Sequence, residues 1–285
     1  MIENFFDSWS LFQHAYLSGW FIGLLLSLLG VLVVARDQIF IGAAVSQASM
    51  LGIAVGLWLG SAVSQDPHSW WHSDLFHSTM GGVFAVLAAL LTTTGSRGSG
   101  RETHEAITGW VFLVSLSLSI LLMAHSPIGT EEINRLSAST IIGARQTDVW
   151  IFAAMFLVTA TLLFVYARQA LLLILDPAMA RAVGLRVDVW NRLLAVWLGL
   201  IVGFSIHVSG VVFSFASLVL PALVAKNVCR ETRHLFVVAP AVSLLTGVLA
   251  FVLANHYDYP PGQMAAACLS GLVVGAWLFR WLRAR

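Results

Sequence analysis

Long apolar runs, broken by short polar segments, recur along the whole chain. Most are close to the length of about 20 mostly apolar residues that a helix needs to cross the hydrocarbon core of a bilayer, although the run at 80–94 is short. Only residues 208–210 separate two of the runs, which form either a tight hairpin or one broken helix, so we expect eight or nine spans. The candidate spans are residues 15–35, 39–63, 80–94, 107–124, 149–167, 190–207, 210–225, 235–254 and 262–280.

The composition agrees with this pattern. Hydrophobic residues make up 59% of the 285 residues, and charged residues make up only 10%. A soluble domain carries about 25% charged residues, so this chain has too few to cover a globule of its size in water. The sequence predicts an all-α polytopic membrane protein, with residues 1–285 forming a single transmembrane domain. The acidic segment Met1–Asp7 lacks the basic residues of a signal peptide, and we expect none to be cleaved.

Basic residues fall mostly on one side of the predicted spans. If the N-terminus lies outside and nine spans alternate, the outer loops hold only Arg135 and Arg145 of the 15 basic residues. Short cytoplasmic loops are enriched in Lys and Arg. We therefore expect the N-terminus outside and the C-terminus in the cytoplasm.

The span at 39–63 carries neutral polar groups near its middle. Ser46, Gln47 and Met50 share one helix face with Ala43, because they follow the i, i+3, i+4 spacing. An unpaired amide in hydrocarbon costs several kcal/mol in order of magnitude, so the Gln47 side chain needs partners. The face either packs against another helix or lines a translocation path, and the path interpretation assigns Ser46, Gln47 and Met50 to it.

Histidines are the candidate metal ligands. His207, near the predicted outer end of its span, is the clearest ionisable group inside the membrane; it either forms hydrogen bonds between helices or acts as a transient ligand. His68, His72 and His77 lie with two tryptophans in a predicted outer loop, which favours a solvated surface beside an aromatic belt. Alternatively, His68 and His72 bind a metal such as zinc if the loop is helical.

The predicted cytoplasmic loop at about 169–189 contains a short helix with clear boundaries. Asp176 is suited to the N-cap, Pro177 to the first helical position and Gly184 to the stop. A well-capped helix in a cytoplasmic loop indicates a docking element.

Sequence motifs of catalysis are missing from the chain. It has no phosphate-binding P-loop, no dinucleotide fingerprint, no His-Glu-x-x-His and no nucleophile elbow. We therefore expect a protein that is not an enzyme, has no ATPase site of its own and binds no nucleic acid.

Six segments follow one another in a recognisable order: Arg36–Gly52, Glu105–Gly109, Leu136–Gly143, Asp176–Leu185, Gly210–Ala222 and Tyr259–Gly262. In this order they resemble the permeases of zinc, manganese and iron ABC importers. The resemblance covers nearly the whole chain, and the Asp-Pro and Leu-Val-Leu-Pro-Ala segments are its most specific parts.

The resemblance implies the permease fold of metal ABC importers, in the plasma (inner) membrane of a bacterium. It implies a second permease copy or a close homologue, a cytoplasmic ATPase dimer and an extracytoplasmic substrate-binding protein as partners. The partner ATPase would use ATP and magnesium, while this chain would bind no cofactor. The loop with Asp176, Pro177, Arg181 and Gly184 would contact the ATPase.

One departure from the family pattern concerns the cargo. Family members typically carry an aspartate and a histidine where this chain has Ala43 and Gln47. Three explanations stay open: the ion crosses hydrated or on other ligands such as His207, the partner permease supplies the ligands, or the cargo is carrier-released iron or a metal–chelate complex.

A stand-alone secondary transporter or channel is the alternative from another class, with a purely structural membrane scaffold as a third possibility. Ion coupling in a secondary transporter predicts several intramembrane acids or histidines. This chain lacks them, so the sequence favours the importer permease.

Overall fold

The computed structural model describes residues 8–63, 70–94, 104–124 and 141–283, and the structure of this part is helical without a strand. Within these ranges, two single 3-10 turns, Trp70–His72 and Ile141–Gly143, accompany the helices. The predicted all-α class is confirmed. The helices are α1 Trp9–Ala35, α2 Ile39–Val63, α3 Asp74–Thr94, α4 His104–Ala124, α5 Gln146–Val165, α6 Ala167–Leu175, α7 Pro177–Ala182, α8 Val187–Ser209, α9 Val211–Val228, α10 Thr232–Tyr257 and α11 Pro261–Arg283.

Nine of the helices in the described ranges are long and apolar enough to cross a membrane; α6 and α7 are the two short ones. The two runs with the narrow separation form separate helices, α8 and α9, joined at Gly210 with φ 79°. Glycine suits this junction because a side chain disfavours positive φ. The chain is therefore a multi-pass membrane protein, while the sidedness of its termini stays a prediction.

The helix α3 begins six residues before the predicted span at residue 80, at Asp74. Its first turn is capped by Ser73, whose Oγ accepts a hydrogen bond from the Phe76 backbone N–H at 3.3 Å. An acid at the first position also suits the positive end of the helix dipole. His77 therefore belongs to a membrane helix, and its assignment to a solvated loop was wrong.

The chain divides into two compact units. The first unit comprises Met1–Ile39, Ala138–Val187 and Val208–Arg285, and the second comprises Phe40–Ser137 and Asp188–His207. Whether residues 1–285 act as the single permease domain expected from the sequence stays a prediction.

The first unit is built around α1, which packs against α5, α9 and α10. Small residues allow the close approach: a methyl group at Gly30 would overlap the backbone carbonyl of Leu218, and one at Gly23 would lie 2.8 Å from Ser243 Oγ. Close helix packing through small residues is the usual way in which membrane helices associate.

Candidate translocation face and coupling segment

The second unit has a junction of three helices at Ser49. The Ser49 hydroxyl on α2 donates a hydrogen bond to the Gly203 carbonyl on α8 at 3.5 Å. A methyl group at Gly81 of α3 would lie 3.1 Å from the same Ser49 Oγ. One small side chain therefore contacts both neighbouring helices.

Glycines bring α3 and α8 into backbone contact. A methyl group at Gly203 would lie 2.6 Å from the Gly82 α-carbon, and one at Gly199 would lie 2.6 Å from the Val86 α-carbon. Gly199 and Gly203 are four residues apart, which is the spacing that favours close packing of membrane helices. This spacing is present in the sequence, but the apolar and polar pattern that predicts the spans does not single these glycines out.

The predicted face of α2 divides by burial. Ser46 is 1% exposed and Met50 is 5% exposed, whereas Ala43 and Gln47 are half-buried. Within the described part of the chain, Ser46 Oγ and Gln47 Oε1 are buried and have no hydrogen-bond partner. A glutamine that served helix packing would use its amide oxygen across the interface. The absence of such a bond in the described ranges favours the path interpretation, which stays a prediction.

The candidate metal ligands differ in how deeply they are buried. His207 is half-buried on α8, and His77 is 8% exposed on α3 with its Cδ2 3.4 Å from a methyl group built at Gly56. His68 and the side chain of His72 lie outside the described residues. Among the residues that are described, no group of three or more His, Cys, Asp or Glu could hold a metal ion. The metal roles of these histidines stay predictions.

The predicted short helix is present as α7, closed at its start by Asp176. The Asp176 Oδ1 accepts hydrogen bonds from the backbone N–H groups of Ala178 at 3.0 Å and Met179 at 2.9 Å. Pro177 occupies the first helical position, where no N–H is needed. The predicted capping by Asp176 and Pro177 is confirmed as local structure.

The end of α7 is closed as well. The Leu185 N–H donates to the Ala180 carbonyl and the Gly184 N–H donates to the Arg181 carbonyl, both at 3.0 Å, with φ 89° at Gly184. This is a Schellman motif, in which glycine at positive φ satisfies the last carbonyls of a helix. The predicted stop at Gly184 is thus confirmed.

The surface of α7 combines a buried anchor with exposed apolar side chains. Ala180 is fully buried, while Met179 is 56% and Val183 is 67% exposed. Arg181 on α7 and Arg186 shortly after it in the sequence are both exposed. Exposed apolar side chains flanked by cations suit contact with a protein surface better than contact with water.

Charged groups fasten α1 to α9 at their neighbouring ends. The Lys226 ammonium donates to Asp37 Oδ1 at 2.6 Å and to the Val34 carbonyl at 3.3 Å. Burial lowers the pKa of the Arg36 guanidinium, which still remains charged at neutral pH because its ordinary pKa is so high. These basic residues lie on the side predicted to be cytoplasmic.

Comparison with known proteins matches residues 8–280 to a family model described as "ABC 3 transport family". The chain is 22% identical over 278 residues to "Manganese transport system membrane protein MntC" of Halalkalibacterium halodurans, covering 96% of this chain and 90% of that protein. It is 24% identical over 253 residues to "Chelated iron transport system membrane protein YfeD" of Yersinia pestis, covering 88% and 79%. The solved structure "PsaBC from Streptococcus pneumoniae in complex with Fab" shares the fold, with a TM-score of 0.80 at 20% identity over 97% of this chain and 95% of that one.

Proposed function

Since the chain belongs to the ABC 3 transport family, as its resemblance implied, we propose that it is the permease subunit of an ATP-driven importer for manganese, iron or zinc. The observation that carries the proposal is the match over nearly the whole chain, together with relatives named for manganese and chelated-iron transport. The likeness to the fold of PsaBC also supports it. A separate ATPase dimer would supply the energy, a binding protein would deliver the cargo, and a second permease copy or close homologue would complete the path.

In this proposal, α2 and α8 line the path in the second unit. Ser46, Gln47 and Met50 would face the cargo from α2, with His207 near the predicted outer end of α8. The buried Ser46 Oγ and Gln47 Oε1, which lack partners in the described ranges, support this assignment. Alternating access would expose this face first to one side of the membrane and then to the other.

The segment α7 would couple the ATPase to the path. A short helix closed at both ends transmits a displacement better than a loose loop, because its hydrogen bonds hold Met179 and Val183 in fixed positions. Asp176, Pro177 and Gly184 would maintain the helix, and Arg181 would lie at the contact.

The coupling role is tested by Asp176→Ala in the assembled transporter. Loss of an N-cap costs about 1 kcal/mol locally, so the protein should still fold while ATP hydrolysis loses its link to uptake. Asp148→Ala is the matched control, because Asp148 Oδ2 also accepts a helix-end hydrogen bond, from the Arg145 N–H at 2.7 Å, on the predicted outer side. Coupled uptake in Asp176→Ala equal to that of Asp148→Ala would refute the coupling role.

The face of α2 favours a more specific second candidate, in which the cargo is a metal–chelate complex or carrier-released iron. An amide and a hydroxyl form hydrogen bonds with an organic ligand, whereas a bare divalent ion prefers carboxylate and imidazole. The double change Ala43→Asp with Gln47→His should shift uptake toward free Zn²⁺ or Mn²⁺ and away from chelated iron. Unchanged selectivity, measured as radiolabelled uptake in cells, would show that this face does not contact the cargo.

A stand-alone transporter is distinguished by vesicles that contain this chain alone. The importer proposal expects metal uptake only when the ATPase and ATP are added. Uptake driven by an ion gradient without the ATPase would overturn it.

A further inference from the structure

The register of α3 against α8 places further residues opposite each other. Gly82 lies against Gly203, and Val86 lies against Gly199 one helical turn away. The two helices therefore run antiparallel, and moving one turn in the other direction brings Ser78 opposite His207. Ser78 is buried at 7% exposure, as expected for a residue at this seam.

His77 lies at the same level, on the face of α3 that packs against α2. It lies four residues before Gly81, and His207 lies four residues after Gly203, so each histidine is one turn beyond a glycine that contacts Ser49. Residues four apart share a helix face. Both imidazoles therefore lie one turn above the junction of α2, α3 and α8, near the end of the second unit where α2 ends and α3 begins.

The small residue Gly56 on α2 gives the His77 ring its place in this layer. A methyl group at Gly56 would lie 3.4 Å from His77 Cδ2, so the ring packs directly on the α2 backbone. His77 Nε2 and His207 Nδ1 are both buried nitrogen atoms. Imidazole nitrogens that reach one level from two packed helices are ligands suited to a first-row transition metal.

We propose that His77 and His207 form a two-imidazole site for a divalent transition-metal ion at this end of the second unit. Neutral imidazole binds zinc, iron and copper well, and Ser78 adds a hydroxyl at the same level. Two protein ligands leave the remaining coordination positions to water or to a chelator, so the ion binds weakly enough to leave again.

This inference deepens the proposed function and rests on it only for the identity of the ion as cargo. The site would take the ion before the Gln47 face, which offers no imidazole or carboxylate. This order follows from the predicted sidedness, which puts the His77 and His207 level nearer the outside than Ser49, while Gln47 lies on the other side of Ser49 along α2.

Metal binding to the purified full-length chain in lipid nanodiscs tests the site without partners or ATP. Co²⁺ is the probe, because its visible absorption band reports imidazole ligation. We expect one equivalent to bind, with at least a tenfold loss of affinity in His77→Gln and in His207→Gln. His104→Gln is the matched control: its Nδ1 lies 3.2 Å from Thr108 Oγ1 on α4 of the same unit, and the variant should bind Co²⁺ as the unaltered chain does. Equal binding by all three variants would overturn the proposal.

A cadmium-binding measurement with cysteine ligands tests the juxtaposition of the two positions in a second way. In a chain with Cys229→Ser and Cys268→Ser, the pair His77→Cys and His207→Cys should bind Cd²⁺ with a stronger thiolate absorption band than either single change, which leaves one thiolate and one imidazole in the site. Absence of that difference in a folded double variant would refute the juxtaposition. Neither measurement involves uptake. If the unaltered chain binds Co²⁺ as expected but the assembled transporter takes up no metal, the importer proposal is wrong and the metal site still stands.

Discussion

The helices α1 and α5 are both strongly apolar, yet they occupy opposite environments in the first unit. The most apolar stretch of α1 is 78% buried, whereas that of α5 is 11% buried. Only Phe152 and Thr159 of α5 are buried, seven residues apart on one narrow seam. Hydrophobicity therefore does not tell which membrane helix lies inside the protein, since lipid tails are as apolar as a leucine side chain.

Small residues account for the difference. Gly19, Gly23 and Gly30 lie on α1, and each would meet another helix or a neighbouring side chain if it carried a methyl group. The sequence of α5 contains no glycine. In lipid, association is driven by close packing, which small residues permit and large ones prevent.

Among the variants that test this comparison, we expect Gly30→Leu on α1 to lose the most stability. Its side chain would require the α9 backbone at Leu218 to move, so we expect more than about 3 kcal/mol of lost stability, because the overpacked neighbour is main chain. The yield of monodisperse protein and the unfolding temperature in detergent measure it. Gly271→Leu on α11 is the control, since nothing lies within 4 Å of an added methyl group there. A wild-type unfolding temperature in Gly30→Leu would refute the close packing of α1.

The variants Phe152→Ala and Phe164→Ala compare the buried face of α5 with its exposed face. Phe152 is 1% exposed and Phe164 is 85% exposed. We expect Phe152→Ala to lose about 3 kcal/mol through the cavity it leaves, and Phe164→Ala to lose less than about 0.5 kcal/mol. Unfolding in mixed detergent micelles compares them. Equal losses would mean that α5 has no preferred face.

Thr159→Val removes one hydroxyl from the buried seam of α5. The Thr159 hydroxyl donates to the Met155 carbonyl of the same helix at 2.7 Å. Side-chain hydrogen bonds between membrane helices, the nearest comparison, average about 0.6 kcal/mol. We expect a loss of that size by the same unfolding measurement. Thr161→Val at an exposed position of α5 is the control, and a larger loss there would contradict the assignment of faces.

Asp37→Asn is expected to have the smallest effect. The Asp37 carboxylate accepts from Lys226 at 2.6 Å, but its side chain is 82% exposed and water screens the pair. Surface pairs of this kind contribute about 0.5 kcal/mol or less. Unfolding at low and high salt should give nearly the same small difference from the unaltered chain, and a loss above about 1 kcal/mol would show that this end of α1 is fastened more strongly than its exposure implies.

Elements set by local rules could be predicted from the sequence. The bounds of α2 match the predicted span 39–63, because apolar composition and length decide where a helix crosses. The caps of α7 at Asp176 and Gly184 were also predictable, since each depends on hydrogen bonds within a few residues.

Elements set by contacts between helices could not be predicted. Gly199 and Gly203 pack against α3, whereas Gly271 and Gly275 have the same spacing and nothing within 4 Å of an added methyl group. The pattern alone does not distinguish the two pairs, because packing depends on which helix lies alongside. The position of His77 escaped prediction for a related reason: the polar first turn of α3 looks like a loop until Ser73 is seen to cap it.

The closed ends of α7 have a thermodynamic consequence for any partner that binds there. Ordering one backbone residue costs roughly 1–2 kcal/mol of conformational entropy, and a loop that folds on contact loses this amount at every residue. The six residues of α7 are ordered before contact, so a partner that binds there does not have to order them. Their conformational entropy is lost when the chain folds. Binding to α7 should therefore depend weakly on temperature and show a small heat-capacity change, as expected when two preformed surfaces meet.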